Sequence, residues 1–198
     1  WASHATTLRW GELAARVEPS SFIQVNQQQS AVLYERVLAA LGDLEGSRVV
    51  DAYAGSGMLS CAIAARGADV VCIEESTASA RLGVLNARLN GVDGRTHYVP
   101  RRVEDALPAV ASERPVDAIV LDPPRAGCAG QVTGWLALCG PQRVVCVSCD
   151  VATLARDLHV LVASGPYVLE SLEIVDMFPQ THHVECVAAL RRDAEPCG

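Results

Sequence analysis

The feature that most restricts this chain is a rhythm in which apolar runs of strand length alternate with stretches patterned as helices. The runs are Val49-Val50, Val70 to Ile73, Tyr98-Val99, Ala118 to Leu121 and Val144 to Val147. Between them lie Cys61 to Arg66, Ser79 to Asn90, Val103 to Ala111, Val132 to Cys139 and Leu154 to Ala163, with Gly67, Gly91 and Gly165 where helix caps belong. A helix from Gln27 to Leu41 comes first, its Leu33, Val37 and Leu41 sharing one face, and Gly42-Asp43 ends it. Parallel neighbours need a crossover between them, so this alternation predicts a doubly wound, mostly parallel α/β sheet. The last part departs from the rhythm. Tyr167 to Met177 and Val184 to Leu190 are strand-like with only Phe178 to His183 between them, which predicts a C-terminal antiparallel hairpin. The start is polar and irregular up to about Ser20, so residues 1–20 read as a segment left from an upstream neighbour and residues 21–198 as one domain.

Composition narrows the class. A chain of 198 residues that is 50% hydrophobic and 20% charged can build one substantial core and is not disordered. No apolar run approaches the ~18 residues of a membrane span. The sequence starts at Trp1, with nothing resembling a secretion signal, and reads as a piece of a longer protein. All 16 basic residues are arginine, set against 23 acidic ones for a formal charge of −7. Non-specific affinity for nucleic acid comes from positive charge displacing counterions, so a nucleic-acid partner here would need local arginines or another domain. The eight cysteines do not imply a disulfide framework, because Cys61, Cys72 and Cys146 fall inside helix or strand patterns of a well-cored domain. A reducing, cytoplasmic setting follows.

Four segments carry chemistry. Asp51-Ala-Tyr53-Ala-Gly55-Ser-Gly57 follows a strand and opens a helix, where paired glycines allow a sharp turn and close approach of a ligand. Ser60 stands where a dinucleotide fingerprint wants its third glycine. Glu74 ends the next strand, where a carboxylate can accept both hydroxyls of a ribose, so an adenosine-containing ligand fits. Without a pyrophosphate cradle, S-adenosylmethionine suits the pattern at least as well as a nicotinamide cofactor. The competing reading is a tight turn beside a solvated acid. The second segment, Asp122-Pro-Pro-Arg125, follows the strand Ala118 to Leu121, with prolines stiffening the backbone and Asp122 at the crevice.

The third segment is Val144-Val-Cys146-Val-Ser-Cys149-Asp150. A zinc or redox pair of Cys146 and Cys149 is rejected, since Cys146 belongs to the strand and no second ligand pair accompanies it. Cys149 lies at the strand's carboxyl end before a helix, where a thiolate is favoured, although a small buried hydrophobe is the commoner fate of a free cysteine. The fourth is Asp176-Met-Phe178-Pro-Gln-Thr-His182-His183-Val-Glu185. Adjacent histidines on extended chain point apart, so no metal site is expected. Glu185, entering a strand beside the crevice, can serve as a general base.

Taken in order and spacing, these segments resemble the RNA uracil-5-methyltransferase family. The likeness runs from Ser21-Phe-Ile-Gln24-Val-Asn26 through the Asp51 turn, Asn86-Ala-Arg-Leu-Asn-Gly91 and Asp122-Pro-Pro-Arg-Ala-Gly127. It ends in Val147-Ser-Cys149-Asp-Val-Ala-Thr-Leu-Ala-Arg-Asp157 and the Asp176 to Glu185 loop. The resemblance implies a Rossmann-like class I methyltransferase fold with a seven-stranded sheet, S-adenosyl-L-methionine as methyl donor, and carbon 5 of a uridine in rRNA or tRNA as acceptor. It implies Cys149 as nucleophile and Glu185 as base. Gln24, Tyr53, Gly55, Gly57, Glu74 and Asp122 would bind the cofactor, and Arg125, Phe178 and His183 the substrate. RNA binding would be helped by an upstream domain absent from this sequence, with no membrane and no metal involved.

Three positions depart from the family pattern. Asp150 replaces an asparagine beside the cysteine and is expected to raise the thiol pKa unless Arg125 or Arg156 pairs with it. Met58 and Arg101 replace polar or acidic cofactor contacts. Two alternatives stand beside the main reading. One is an exocyclic-amine methyltransferase of adenine or guanine, favoured by Asp122-Pro-Pro but lacking the aromatic residue such loops carry where Arg125 stands. The other is a degenerate domain that only binds RNA or a partner.

Overall fold

The computed structural model describes residues 6–18, 26–177, 180–181 and 184–193. Five parallel strands form the middle of the molecule: β3 (Arg48–Ala52), β4 (Asp69–Ile73), β5 (Thr96–Val99), β6 (Ala118–Leu121) and β7 (Arg143–Ser148). They are preceded by the hairpin β1 (Thr6–Trp10) and β2 (Leu13–Val17), and followed by β8 (Tyr167–Val175) and β9 (Glu185–Arg192). The sheet order is β5-β4-β3-β6-β7-β9-β8, with β9 antiparallel to both neighbours, so the expected C-terminal hairpin forms with its second strand on the inside. Every residue of β3 and β6 is buried, as strands covered on both faces require.

Helices cover the two faces. On one side α1 (Gln27–Leu41), α2 (Met58–Ala64) and α3 (Thr77–Leu89) pack Leu33, Val37, Leu41, Ile63 and Ala87 against Val49, Val70 and Val145. On the other, α4 (Val103–Glu113), α5 (Gly130–Cys139) and α6 (Val151–Leu158) pack Leu107, Val132, Leu136 and Leu154 against Val50, Ile119 and Val144. The helix caps are those the sequence offers: Asn26 accepts from the Gln29 amide at 3.2 Å, and Gly42 turns left-handed (φ 81°) after Leu41. Gly165 differs. It is not left-handed, and a Cβ there would meet the Leu161 carbonyl oxygen at 2.6 Å, so glycine is needed for space after a π-helical turn at His159–Ala163. No helix among the described residues is long and apolar enough to cross a membrane.

The irregular start expected before Ser20 is instead ordered over residues 6–18 and docks on α3. Asn86 and Asn90, one helical turn apart, treat β2 as a neighbouring strand would. Asn90 accepts from the Ala14 amide and donates to the Ala14 carbonyl, both at 2.8 Å. Asn86 accepts from the Arg16 amide at 2.7 Å and donates to the Arg16 and Ser56 carbonyls at 3.3 and 3.0 Å. Ala15 and Val17 then cover Met58. The side chain of Asn86 is fully buried, so Asn86→Ala leaves three backbone groups without their partner. We expect it to cost about 3 kcal/mol of stability in urea unfolding, and a loss below about 1 kcal/mol would contradict the role given to it.

Candidate active site

The carboxyl ends of β3, β4, β6 and β7 point to one edge of the sheet, where ligands of open α/β folds bind. After β3 the backbone turns through Tyr53, Gly55 and Gly57, all left-handed, with φ of 68°, 55° and 79°. The conformation is free for glycine but costs a non-glycine residue about 1–3 kcal/mol, which marks Tyr53 as a position held for a purpose. The two glycines serve different ends. A Cβ on Gly57 would lie 1.7 Å from the Tyr98 hydroxyl, whereas one on Gly55 would meet nothing within 4 Å. Gly55 therefore leaves the turn open to a ligand. Glu74 ties that turn to β4: one carboxylate oxygen accepts from the Gly55 amide at 2.9 Å, the other from the Ser76 amide at 2.8 Å. Each oxygen keeps a lone pair for a further donor.

Carboxylates from separate strands gather at this edge. Asp51, almost wholly buried in β3, accepts from the Ser60 hydroxyl at 2.5 Å; burial first, then the charges of Asp122 and Glu74, push it up to about 7 against that hydrogen bond. Burial pushes Asp122 up to about 6. Glu185 opens β9 and is 5% exposed; burial, then the charge of Asp122, raise it to about 7, with Arg125 opposing. Tyr34 of α1 faces the same acids, and burial with the charges of Asp122 and Asp51 keeps its phenol protonated. Nothing in the helical spacing of Tyr34 marks it as a site residue. Asp51 had a signal, since it precedes the glycine turn directly.

Cys149 follows the end of β7 and is partly exposed. Its surroundings are rigid: the Ser148 hydroxyl donates to the Asp150 carbonyl at 3.0 Å and accepts from the Asp150 amide at 3.1 Å. The antiparallel register pairs Ser148 with Cys186, so Cys149 and Glu185 stand one step further along, thiol beside carboxyl. Burial and then the charge of Glu185 raise the thiol pKa, while the charge of Arg125 and a hydrogen bond from it lower the pKa. The expectation for Asp150 is corrected here. Its carboxylate turns away to cap α6, accepting from the Thr153 amide at 2.9 Å, so Glu185 is the acid that bears on the thiol. Of the two arginines expected to pair with Asp150, the charge of Arg125 does help to lower its pKa, whereas Arg156 donates to Asp157 and to the carbonyls of Ala126 and Cys128.

The structure thus brings together Tyr53, Gly55, Gly57, Glu74, Asp122, Arg125, Cys149 and Glu185 at one sheet edge. Gln24, Phe178 and His183 lie outside the described residues. Asn26 and Met177, which bound those stretches, are in contact, the Asn26 amide donating to the Met177 carbonyl at 3.3 Å. Met58 is turned into the apolar cluster beneath β2, and Arg101 is exposed beyond β5. Cys146 is buried in β7.

The sequence profile of the tRNA (uracil-5-)-methyltransferase family matches residues 8–193. The chain belongs to this family. Among its curated relatives, an RNA methyltransferase of Gloeobacter violaceus is 42% identical over 89% of the chain and 37% of the relative. The 23S rRNA (uracil(1939)-C(5))-methyltransferase RlmD of Aromatoleum aromaticum is 39% identical over 96% of the chain and 44% of the relative. The crystal structure of Pyrococcus abyssi tRNA (uracil-54, C5)-methyltransferase in complex with S-adenosyl-L-homocysteine superimposes with a TM-score of 0.82 at 29% identity, over 96% of this chain and 45% of that one. The chain therefore spans less than half the length of these family members. Its fold is the Rossmann-like methyltransferase fold.

The opposed influences on Cys149 yield a test on the protein alone. Arg125→Gln should move the pH profile of Cys149 alkylation upward and slow the reaction at pH 7, while Glu185→Gln should move it downward and speed it. Alkylation mapped by mass spectrometry would contradict this geometry if both variants moved the same way.

Proposed function

We propose that this chain is the catalytic domain of an S-adenosyl-L-methionine-dependent RNA methyltransferase that methylates carbon 5 of a uridine in rRNA or tRNA. The observation that carries the reading is that Cys149 and Glu185 come together just beyond the last β7–β9 pair, Ser148 with Cys186, next to a turn open for an adenosine ligand. The residues fit that donor: Glu74 retains lone pairs for ribose hydroxyls, Gly55 leaves room, and the carboxylates of Asp51 and Asp122 favour a cation. Tyr53 opens the same turn with its ring packed against the apolar cluster of Val50, Leu107 and Ile119, and Gly57 shapes it. S-adenosylmethionine, when bound, supplies an electrophilic methyl group.

Carbon 5 of uracil is a poor nucleophile until a soft thiolate adds to carbon 6. The Cys149 sulfur would form that bond, moving the ring's double-bond electrons onto the carbon 4 carbonyl as an enolate, whose carbon 5 then takes the methyl group. Arg125 stabilises the thiolate before attack. Glu185, with a pKa raised to about 7, suits removal of the carbon 5 proton, whose electrons re-form the double bond and expel the Cys149 thiolate. A uridine within folded RNA would be flipped out to reach the thiol. Phe178 and His183 are assigned to the flipped base by the family likeness alone. The relatives' additional length is where we place RNA binding, in keeping with a charge of −7 on this part. An RNA substrate and a reduced nucleophile are in keeping with a reaction in the cytoplasm.

Two measurements test the proposal. Incubation with S-adenosylmethionine and RNA containing 5-fluorouridine, which blocks the final proton removal, should trap an adduct that mass spectrometry maps to Cys149 and that Cys149→Ala abolishes. Donor binding without an adduct would point instead to amine methylation, and absence of donor binding to a non-catalytic domain. Donor affinity should also depend on pH. A cation favours ionised carboxylates, so Asp51 and Asp122, half-protonated near pH 7 and 6, should let affinity rise between pH 5.5 and 8 by about tenfold in calorimetry. A flat profile would remove those two acids from the binding site.

A further inference from the structure

Arg125 is exposed on the 122–129 loop, and what holds that loop decides whether its guanidinium stays at the thiol. Pro123 and Pro124 have no N–H with which to bind the sheet, so beyond the Asp122 amide, which donates to the Ala52 carbonyl at 3.4 Å, attachment falls on the loop's second half. There the Cys128 amide donates to the Asp157 carboxylate at 2.8 Å. The Ala126 and Cys128 carbonyls accept from Arg156 at 3.0 and 3.2 Å. Arg156 and Asp157 in turn form a two-point pair, with Nε and Nη2 at 2.9 and 2.7 Å from the same carboxylate oxygen. Between these contacts sits Gly127, left-handed at φ 75°, where a Cβ would come within 2.4 Å of Arg156 and 2.7 Å of Asp157. The loop is seated on this pair with no slack.

Both partners of the pair belong to α6, the helix that Asp150 caps directly after Cys149. We propose that Asp157, with Arg156, is a positioning residue for the thiol: it clamps the 122–129 loop to the helix that carries Cys149 and so holds Arg125 against the sulfur. Asp157 is 6% exposed and is not among the groups whose charge bears on the thiol, so its influence runs through the loop it holds at Cys128. The groups bearing on Cys149 are Glu185 from β9 and Arg125 from the loop, while Asp150 is occupied by the helix cap. Releasing the clamp removes the cationic influence and leaves the anionic one. The purpose of the clamp rests on the reading of Cys149 as nucleophile, whereas the coupling itself does not.

The experiment is alkylation of Cys149 by iodoacetamide across pH in the 198-residue chain, mapped by mass spectrometry, with circular dichroism to confirm the fold. Asp157→Asn should shift the profile upward and slow alkylation at pH 7 about 3–10-fold, and Arg156→Ala should act in the same direction. In an Arg125→Gln background Asp157→Asn should add less than about twofold, because the cation it positions is gone. An unchanged profile in folded Asp157→Asn and Arg156→Ala, or an equal slowing with and without Arg125, overturns the proposal. If Asp157→Asn does not fold, Arg156→Ala decides, since that side chain is half-exposed. The 5-fluorouridine adduct separates the two readings. An adduct with no change in the alkylation profiles rejects the clamp and keeps the function, while coupled profiles with no adduct keep the clamp and reject the function.

Discussion

The antiparallel pairing of β9 with β7 is the contact on which the candidate site depends. It inserts the last strand between β7 and β8 and brings its first residue, Glu185, to the carboxyl end of a parallel strand, where Cys149 lies. A slip of one residue would turn Glu185 to the other face of the sheet, because side chains alternate. The far end of β9 holds the register. Arg192, 4% exposed, donates to the carbonyls of Leu136, Ala137, Leu138 and Gly140 at the end of α5, of which that of Leu136 also accepts from the Gly140 amide at 2.9 Å. One arginine thus anchors the strand whose other end carries the candidate base.

Around that contact the electrostatics are arranged by burial more than by net charge. Asp51 in β3, Asp122 just after β6 and Glu185 in β9 are each raised chiefly by desolvation, and the charge of Asp122 raises the other two further. Such a cluster welcomes a cation and keeps an acid ready to accept a proton near neutrality. Arg125 is the local exception in an acidic chain, and its place beside Cys149 opposes Glu185. The site combines a cluster of acids with a thiol whose raised pKa Arg125 partly offsets, at one edge of the sheet.

Much of the fold was legible because its signals are local. Apolar runs bounded by glycine and proline mark strands that are buried on both faces, and Tyr167 to Met177 followed closely by Val184 to Leu190 left no room for a crossover. The candidate site was legible in the same way, since Asp51, Gly55, Gly57, Glu74, Asp122 and Cys149 all sit at strand ends, where the alternation predicts a ligand edge. What escaped was direction and partnership. Asp150 is adjacent to Cys149 in the chain, yet its carboxylate faces the amide of Thr153. Met58 looked like a lost polar contact and is a buried support for β2. Asn86 and Asn90 were a motif without a role until β2 was seen lying along them.

The sequence by itself determined the element types, the doubly wound alternation and the residues that could carry chemistry, because periodicity, caps and turns depend on neighbours a few positions apart. The tertiary structure alone decided which of those residues meet. That Glu185 rather than Asp150 bears on the thiol follows from a strand pairing between residues 148 and 186. That Arg125 reaches it follows from a loop seated on Asp157 of the next helix. Such contacts join positions distant in the chain, and the energies that select them, burial of a carboxyl or satisfaction of a backbone amide, exist only once the sheet has formed.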